Sequence, residues 1–211
     1  MKTRDVTITP KTMTPKITPK ITKDELARLA VRRYEGSVCL VASSHDLDRA
    51  RHEFRREQVV GLDTETPPAF RKGEAHLPSL VQVATSRAVY LFPLKRLDSA
   101  DVLTELLENR AIAKAGIGLG HDFTKLKMRF PFEEKNVADL SAAARRHGME
   151  QTGVRNLAAL FLGFRITKGQ KTSNWGRAEL TQNQILYAAT DAWVCRELYL
   201  CFQKQGLIQT D

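Results

Sequence analysis

The sequence has few cysteines and no long apolar run, and both absences limit the classes of protein it can belong to. Its three cysteines, Cys39, Cys195 and Cys201, include no Cys-x-x-Cys pair. An odd set without that spacing indicates neither a disulfide framework nor a zinc site. No stretch approaches the roughly 20 apolar residues that cross a bilayer, and residues 1–10 lack the apolar centre of a secretory signal. We therefore expect a cytoplasmic protein without membrane association.

Acidic residues are outnumbered by basic ones, and the excess is concentrated at the N-terminus. The formal net charge is +9, and residues 1–23 carry six basic side chains against Asp5 alone. This segment repeats Thr-Pro-Lys and has few large side chains to bury, which predicts a disordered basic tail ahead of a folded domain over residues 24–211. The mildly basic remainder fits a polyanion ligand such as nucleic acid, although an ordinary solvated surface has the same composition.

Apolar patterns alternate between strand and helix over most of the body. Short apolar or β-branched runs predict strands at 37–42, 58–63, 80–84, 88–92, 111–116 and 137–140. Amphipathic segments predict helices at 45–57, 99–108, 121–129 and about 181–203. A hairpin-like block of strands followed by strand–helix units predicts an α/β domain with a mixed sheet flanked by helices.

Two acidic residues end the second predicted strand. Asp63 and Glu65 are two residues apart, so their carboxylates point to the same face of the sheet and can hold one hard cation between them. The alternative is a pair of surface acids at a strand end. Both acids adjoin an apolar segment that we expect to be buried. A divalent cation would offset the cost of placing unpaired charge there.

Tyr187 and Asp191 lie four residues apart in the long C-terminal helical segment. That spacing places both side chains on one face of the helix, where the aspartate can reach the same cation and the phenol can hydrogen-bond a water. In the alternative interpretation the tyrosine lies at the edge of the core and Asp191 pairs with Arg196.

Asp122 follows the glycine-rich segment Gly116-Ile-Gly118-Leu-Gly120, close to a predicted helix start. A carboxylate there can cap the helix, which is the structural alternative to a metal ligand. The glycines imitate a dinucleotide-binding loop, but their spacing is GxGxG rather than GxGxxG, and no acidic residue ends a following strand at the expected place. We expect them instead to allow close approach of the backbone to other chain or to substrate.

In chain order these motifs resemble the three exonuclease motifs of the DEDD superfamily. The tyrosine in the third motif is typical of the DEDDy branch, which includes ribonuclease D and the Werner-syndrome-type exonuclease domains. The resemblance covers roughly residues 37–205 and is carried by these segments: Asp63-Thr-Glu65-Thr-Pro-Pro, Arg71-Lys-Gly73, Leu80-Val-Gln82, Lys114-Ala-Gly-Ile-Gly118, Ser173-Asn-Trp175 and Leu186-Tyr-Ala-Ala-Thr-Asp191.

The resemblance implies a ribonuclease H-like fold and a metal-dependent 3′–5′ exonuclease that acts on nucleic acid with a free 3′ end and releases nucleoside 5′-monophosphates. It implies two divalent cations, Mg²⁺ or Mn²⁺, with Asp63 bridging both, Glu65 and Asp191 completing the first site and Asp122 holding the second. Tyr187 would orient the attacking water.

The substrate is open at this point. Similarity to the Werner type favours DNA, and an RNA-trimming or oligoribonucleotide-degrading exoribonuclease is the alternative within the same class. A nucleic-acid-binding module without catalysis is the alternative outside it. Where several relatives have an aromatic residue after the first motif, this chain has Thr66, so contacts to the terminal base would differ.

Further residues near the motifs are candidates for nucleic-acid contacts. They are Thr64, Arg71, Lys72, Lys168, Lys171, Ser173, Asn174 and Trp175. Basic and polar side chains suit the phosphate backbone, and an exposed aromatic ring suits base stacking. In the alternative interpretation, residues 168–174 form an ordinary solvated loop and Trp175 is anchored in the core.

Overall fold

The computed structural model describes residues 20–69, 71, 73–170 and 172–208. The first nineteen residues of the predicted tail, together with Lys72 and Lys171, therefore lie outside the described residues. The first described residues contact the folded domain. The Lys20 ammonium lies 3.6 Å from the Glu150 carboxylate, and the Ile21 amide donates a hydrogen bond to the Gln151 side chain. Thr22 then caps a short helix, α1 (Lys23–Arg28).

Within the described residues, six strands form one mixed sheet in the order β1-β4-β3-β2-β5-β6. Their bounds are β1 Ser37–Leu40, β2 Val59–Glu65, β3 Leu80–Ala84, β4 Ala88–Pro93, β5 Ala113–Gly116 and β6 Val137–Asp139. Strands β2, β3 and β4 are antiparallel neighbours, whereas the outer pairings β1–β4, β2–β5 and β5–β6 are parallel. The predicted mixed sheet is confirmed, and β2, which carries the first acidic pair, lies inside it.

The remaining helices pack on the two faces of this sheet. They are α2 Ser44–Phe54, α3 Ala100–Glu108, α4 Leu119–Leu126, α5 Leu140–Arg146, α6 Val154–Leu157 and α7 Gln182–Lys204. A single π-helical turn, Ala158–Leu162, continues α6. Capping boxes start α2 at Ser43 and α7 at Thr181, because each hydroxyl accepts a backbone N–H and the third helical residue reaches back to the cap. No helix among the described ranges combines the length and the apolar character needed to cross a bilayer.

Two elements around the acidic residues differ from their predicted bounds. Strand β2 extends two residues further than predicted, because its pairing with β3 continues to Glu65, opposite Leu80. Helix α4 begins at Leu119 rather than at residue 121, since Leu119 is a buried core residue and Gly118 supplies a left-handed N-cap with φ 69°.

The faces of the sheet have separate cores. Val60 and Leu62 of β2 point to the side of α2, α3 and α4, where they join an aromatic and aliphatic cluster. On the opposite face α7 covers the sheet with small side chains, and Ala188, Ala189 and Ala192 pack against Leu80 and neighbouring strand residues.

Gly61 brings α7 into direct contact with β2. A Cβ at this position would lie 2.0 Å from the Ala192 carbonyl oxygen and 2.7 Å from the Arg196 backbone nitrogen. Only a residue without a side chain therefore allows the helix backbone to lie against this strand. The contact begins at Ala192, the residue after Asp191, and so holds Asp191 beside the end of β2.

Candidate active site

Three carboxylates converge where β2 ends beneath α7. One oxygen from each of Asp63, Glu65 and Asp191 lies within 4.8 Å of the other two. Glu65 is 8% exposed and Asp191 is 5% exposed. Like charges at this distance in a buried site repel each other strongly, and a divalent cation between them offsets that repulsion. An all-oxygen ligand set of this kind suits Mg²⁺ or Mn²⁺ rather than zinc.

Asp191 accepts a hydrogen bond from Tyr187 of its own helix and is influenced by the positive charge of Arg155. Burial raises the pKa of its carboxyl to about 6, while the hydrogen bond from Tyr187 and the positive charge of Arg155 act in the opposite direction. The alternative pairing with Arg196 does not occur, because that guanidinium contacts Glu57 at 3.4 Å and Glu197 at 3.7 Å. Asp191 is therefore directed to the acidic cluster.

Tyr187 lies one helical turn before Asp191 and donates its phenolic hydrogen to that carboxylate. Burial raises the pKa of the phenol, and the negative charges of Asp191 and Glu65 raise it further. The phenol consequently stays protonated at ordinary pH. It can position an acid or a water by hydrogen bonding, but it is unsuited to act as a base.

Asp122 reaches the end of β2 from the other face of the sheet. It lies in α4, and its Oδ1 accepts a hydrogen bond of 3.0 Å from the hydroxyl of Thr64. Burial raises the pKa of the Asp122 carboxyl, and the Thr64 bond opposes that effect. Gly118 is the N-cap of this helix, so Asp122 is not its capping residue, but it lies in the first turn, where the helix dipole favours a carboxylate. The acid lies beside the three-carboxylate cluster rather than in it.

The turn that leads into α4 is fixed by another acid. Asp139, at the end of β6, accepts the backbone N–H of Gly118 at 3.3 Å and those of Ser141 and Ala142 at 2.9 and 3.1 Å. These bonds tie β6 to the start of the helix that carries Asp122. The bonds to Ser141 and Ala142 are the local N-cap bonds of α5, whereas Gly118 becomes a neighbour of Asp139 only through the pairing of β5 with β6. A role for Asp139 at the start of α4 was therefore not predicted from the sequence.

The predicted nucleic-acid contacts are dispersed. The Thr64 hydroxyl donates its hydrogen bond to Asp122. Arg71 is exposed, and its backbone N–H donates to Glu74. Lys168 is exposed at the rim of a cleft of about 500 Å³ that also reaches Tyr187 and Asp191. Lys72 and Lys171 fall outside the described residues.

The segment Ser173–Trp175 packs against the first turns of α7. The Gln184 side-chain amide donates to the Ser173 hydroxyl at 3.0 Å and to the Asn174 carbonyl at 3.2 Å. Trp175 is 2% exposed, donates its indole N–H to the Gln170 carbonyl and packs against the Tyr187 ring. It is thus anchored in the core, as the alternative interpretation has it, and offers no exposed face for a base.

Sequence reasoning missed two basic residues at this site. The positive charge of Arg155 lowers the pKa of Asp191 against the larger effect of burial, and the Arg155 Nε donates a hydrogen bond to the Ile166 carbonyl at 3.3 Å. Arg33 lines the 500 Å³ cleft together with Lys168 and Asn183. Neither lies near the acidic motifs in the sequence, so no local pattern connects them with the site.

A profile described as 3'-5' exonuclease matches residues 38–206. The exonuclease mut-7 homolog of Homo sapiens is 31% identical over an alignment of 208 residues that covers 84% of this chain and 23% of that protein. The bifunctional 3'-5' exonuclease/ATP-dependent helicase WRN of Mus musculus is 33% identical over 154 residues, 70% of this chain and 11% of that protein. Ribonuclease D of Granulibacter bethesdensis is 32% identical over 168 residues, 77% of this chain and 41% of that protein. This chain thus spans less than half the length of each of these relatives.

Solved structures agree on the fold. The exonuclease domain of Nibbler from Aedes aegypti has a TM-score of 0.74 at 23% identity, over 83% of this chain and 91% of that chain. Escherichia coli RNase D has a TM-score of 0.70 at 18% identity, over 82% and 47% of the two chains. The predicted ribonuclease H-like fold is confirmed. Because the profile covers most of the sequence and its span contains all three acidic motifs, the chain belongs to the 3'-5' exonuclease family.

Proposed function

We propose that residues 24–211 form a domain that hydrolyses phosphodiester bonds from the 3′ end of nucleic acid and releases nucleoside 5′-monophosphates. The observation that carries this proposal is the convergence of Asp63, Glu65 and Asp191, with ligand atoms within 4.8 Å of one another. Residues from a central strand and from a helix 126 positions later meet at one point, where their charges repel unless a cation lies between them.

The proposal assigns two divalent cations, Mg²⁺ or Mn²⁺, to the end of β2. Asp63, Glu65 and Asp191 would hold the first, and Asp122, on the far side of β2, would hold the second together with Asp63. When bound, such a pair activates a water for attack on the phosphorus and neutralises the charge that develops on the leaving 3′ oxygen.

The protein's own groups hold and orient the reactants. The Tyr187 hydroxyl, bonded to Asp191, fixes that carboxylate and presents a polar oxygen to the attacking water. Thr64 fixes one oxygen of Asp122, and the other oxygen would face the cation. Exposed Lys168 and the Arg33 side chain at the adjoining cleft supply positive charge for a phosphate backbone.

DNA is the proposed substrate, on the resemblance to Werner-type domains. RNA is the second candidate, and the similarity to a ribonuclease D supports it. The carboxylates would act on the phosphodiester group, which DNA and RNA share. They therefore do not distinguish the two substrates, which differ at the 2′-hydroxyl.

Single-turnover digestion tests both the proposed exonuclease activity and the proposed preference for DNA. Purified protein with Mn²⁺ is incubated with 5′-labelled DNA and RNA of one sequence, single-stranded and as recessed duplexes. We expect a ladder that shortens from the 3′ end, its loss in Asp191→Asn, and its retention in Glu197→Gln, an acid-to-amide change on the same helix away from the cluster. A wild-type protein that binds these strands without shortening them would instead support the non-catalytic binding module.

A further inference from the structure

Gln82 is a buried polar residue whose side chain has no hydrogen-bond partner in the part of the chain described. It is 0% exposed, and both its Oε1 and its Nε2 lack a partner there. A buried amide left in this state destabilises the folded protein relative to a satisfied one. Buried polar groups in native proteins are nearly always satisfied, so an exception of this kind points to a function.

The surroundings of Gln82 on its own strand and on β4 are apolar. Side chains on one face of a strand recur every two residues, which places Leu80 and Ala84 beside Gln82 on β3. Leu91 lies directly opposite on β4. Above these residues α7 presents Ala188 and Ala192, which belong to the same buried cluster. None of these side chains can satisfy an amide.

The neighbour on the other side is an acid of the proposed metal centre. Gln82 is paired with Asp63 in the antiparallel register of β2 and β3. Directly opposite residues in such a pair share one face, with Cβ atoms about 4.5–5.5 Å apart. Glu65 follows diagonally on the same face. The polar side chains that the register places beside the amide are therefore the two acids of β2.

We propose that Gln82 is a positioning residue for the metal centre, and that its amide donates a hydrogen bond to Asp63 when that carboxylate holds a divalent cation. Nε2 is the donor and a carboxylate oxygen of Asp63 is the acceptor. The bond fixes the rotamer in which Asp63 presents its other oxygen to the cation. Carboxylates that bind metals are themselves held by hydrogen bonds, and loss of such a partner weakens metal binding about 10- to 100-fold. The proposal rests on the proposed function, since it needs a cation at Asp63.

Stability and metal affinity are expected to respond differently when Gln82 is replaced. Gln82→Met keeps the volume of the side chain and removes the unsatisfied amide. The melting temperature of the protein without added metal should therefore equal or exceed that of the wild type. The dissociation constant for Mn²⁺, measured by titration calorimetry on the full chain, should rise at least tenfold. A side chain with a purely structural role would shift the first quantity and leave the second unchanged.

Matched variants separate this role from packing and from failure of the site. Leu91→Met alters the same buried layer directly across from Gln82 and should leave the Mn²⁺ dissociation constant within twofold of the wild type. Gln82→Leu repeats the test if the methionine variant does not fold, as judged by circular dichroism. Asp63→Asn should abolish binding. The proposal is overturned if a folded Gln82 variant binds Mn²⁺ within twofold of the wild type, or if Leu91→Met weakens binding as much. A wild type that binds no Mn²⁺ would overturn the metal centre itself.

Discussion

The Thr64 hydroxyl and the Asp122 carboxylate are joined by a hydrogen bond of 3.0 Å that runs from the central strand to the start of α4. Thr64 lies between Asp63 and Glu65, and alternation along β2 turns its side chain to the opposite face from theirs. One strand end thus directs two acids towards α7 and holds a third acid on the side of α4. The same strand end therefore positions acids on both faces of the sheet.

We expect Thr64→Val to lower the exonuclease rate about 10- to 100-fold, because loss of the hydroxyl frees the Asp122 carboxylate to rotate. Valine keeps the β-branched shape, so the melting temperature should change by only a few degrees. Thr64→Ser retains the hydroxyl and should keep most of the activity. Rates at saturating Mn²⁺ for the three proteins check this expectation, and equal rates for valine and threonine would contradict it.

Gly61→Ala should both destabilise the protein and reduce its activity. The added methyl group would lie 2.0 Å from the Ala192 carbonyl oxygen, which forces α7 away from β2 and displaces Asp191 from Asp63. Overpacking of this kind costs about 1–3 kcal/mol or more. Denaturant unfolding and the digestion assay would show the two effects together.

Gly120→Ala is the matched control for that substitution. This glycine lies within α4, and a Cβ there would meet nothing within 4 Å. Alanine is favoured over glycine by about 0.5–1 kcal/mol in the middle of a helix and by less in the first turn, where Gly120 lies, so this variant should be at least as stable as the wild type. A Gly61→Ala protein as stable as Gly120→Ala would show that α7 does not need the close approach.

The parts of the site that follow a local period were predictable from the sequence. The two-residue spacing of Asp63 and Glu65 and the four-residue spacing of Tyr187 and Asp191 give a shared face in a strand and in a helix respectively. The structure retains both relationships, because each depends only on its own element.

Relationships that cross the sheet were not predictable in the same way. Thr64 meets a residue 58 positions away, and the setting of Gln82 depends on the register between β2 and β3. Trp175 lies in a segment without periodicity, where burial depends on packing against Tyr187 and the strands. Each requires the tertiary arrangement, which a single sequence specifies only indirectly. Gly61 carried a partial signal, because a glycine inside a buried strand often marks close approach of another backbone.

Tyr187→Phe tests the role of the phenolic hydroxyl. The variant keeps the ring, and with it the packing against Trp175, but loses the hydrogen bond to Asp191. We expect a rate about 10- to 100-fold lower, with unchanged strand binding, because the hydroxyl orients groups and does not contribute to affinity for the strand. Single-turnover rates and strand-binding titrations separate the two quantities. A phenylalanine variant that cleaves at the wild-type rate would exclude the hydroxyl from catalysis.

Lys114 gives the fold a pH dependence that is independent of the site. The residue is 0% exposed on β5, and its ammonium donates to the carbonyl oxygens of Asn109 and Ile112. Burial lowers the pKa of this ammonium from 10.5 to about 8. Between these two values the unfolded chain binds a proton that the folded chain has released. The free energy of unfolding therefore gains a positive slope with pH in that interval.

We expect the stability of the wild type relative to Lys114→Met to increase as the pH rises from 8 to 10. Methionine has no titrating group at this position, so the comparison cancels the contributions of other side chains. Urea unfolding of both proteins at several pH values gives the difference directly. Lys95→Met, a substitution of an exposed lysine, is the control and should show no comparable trend. A constant difference between wild type and Lys114→Met across this interval would mean that the buried ammonium keeps its proton in the folded protein.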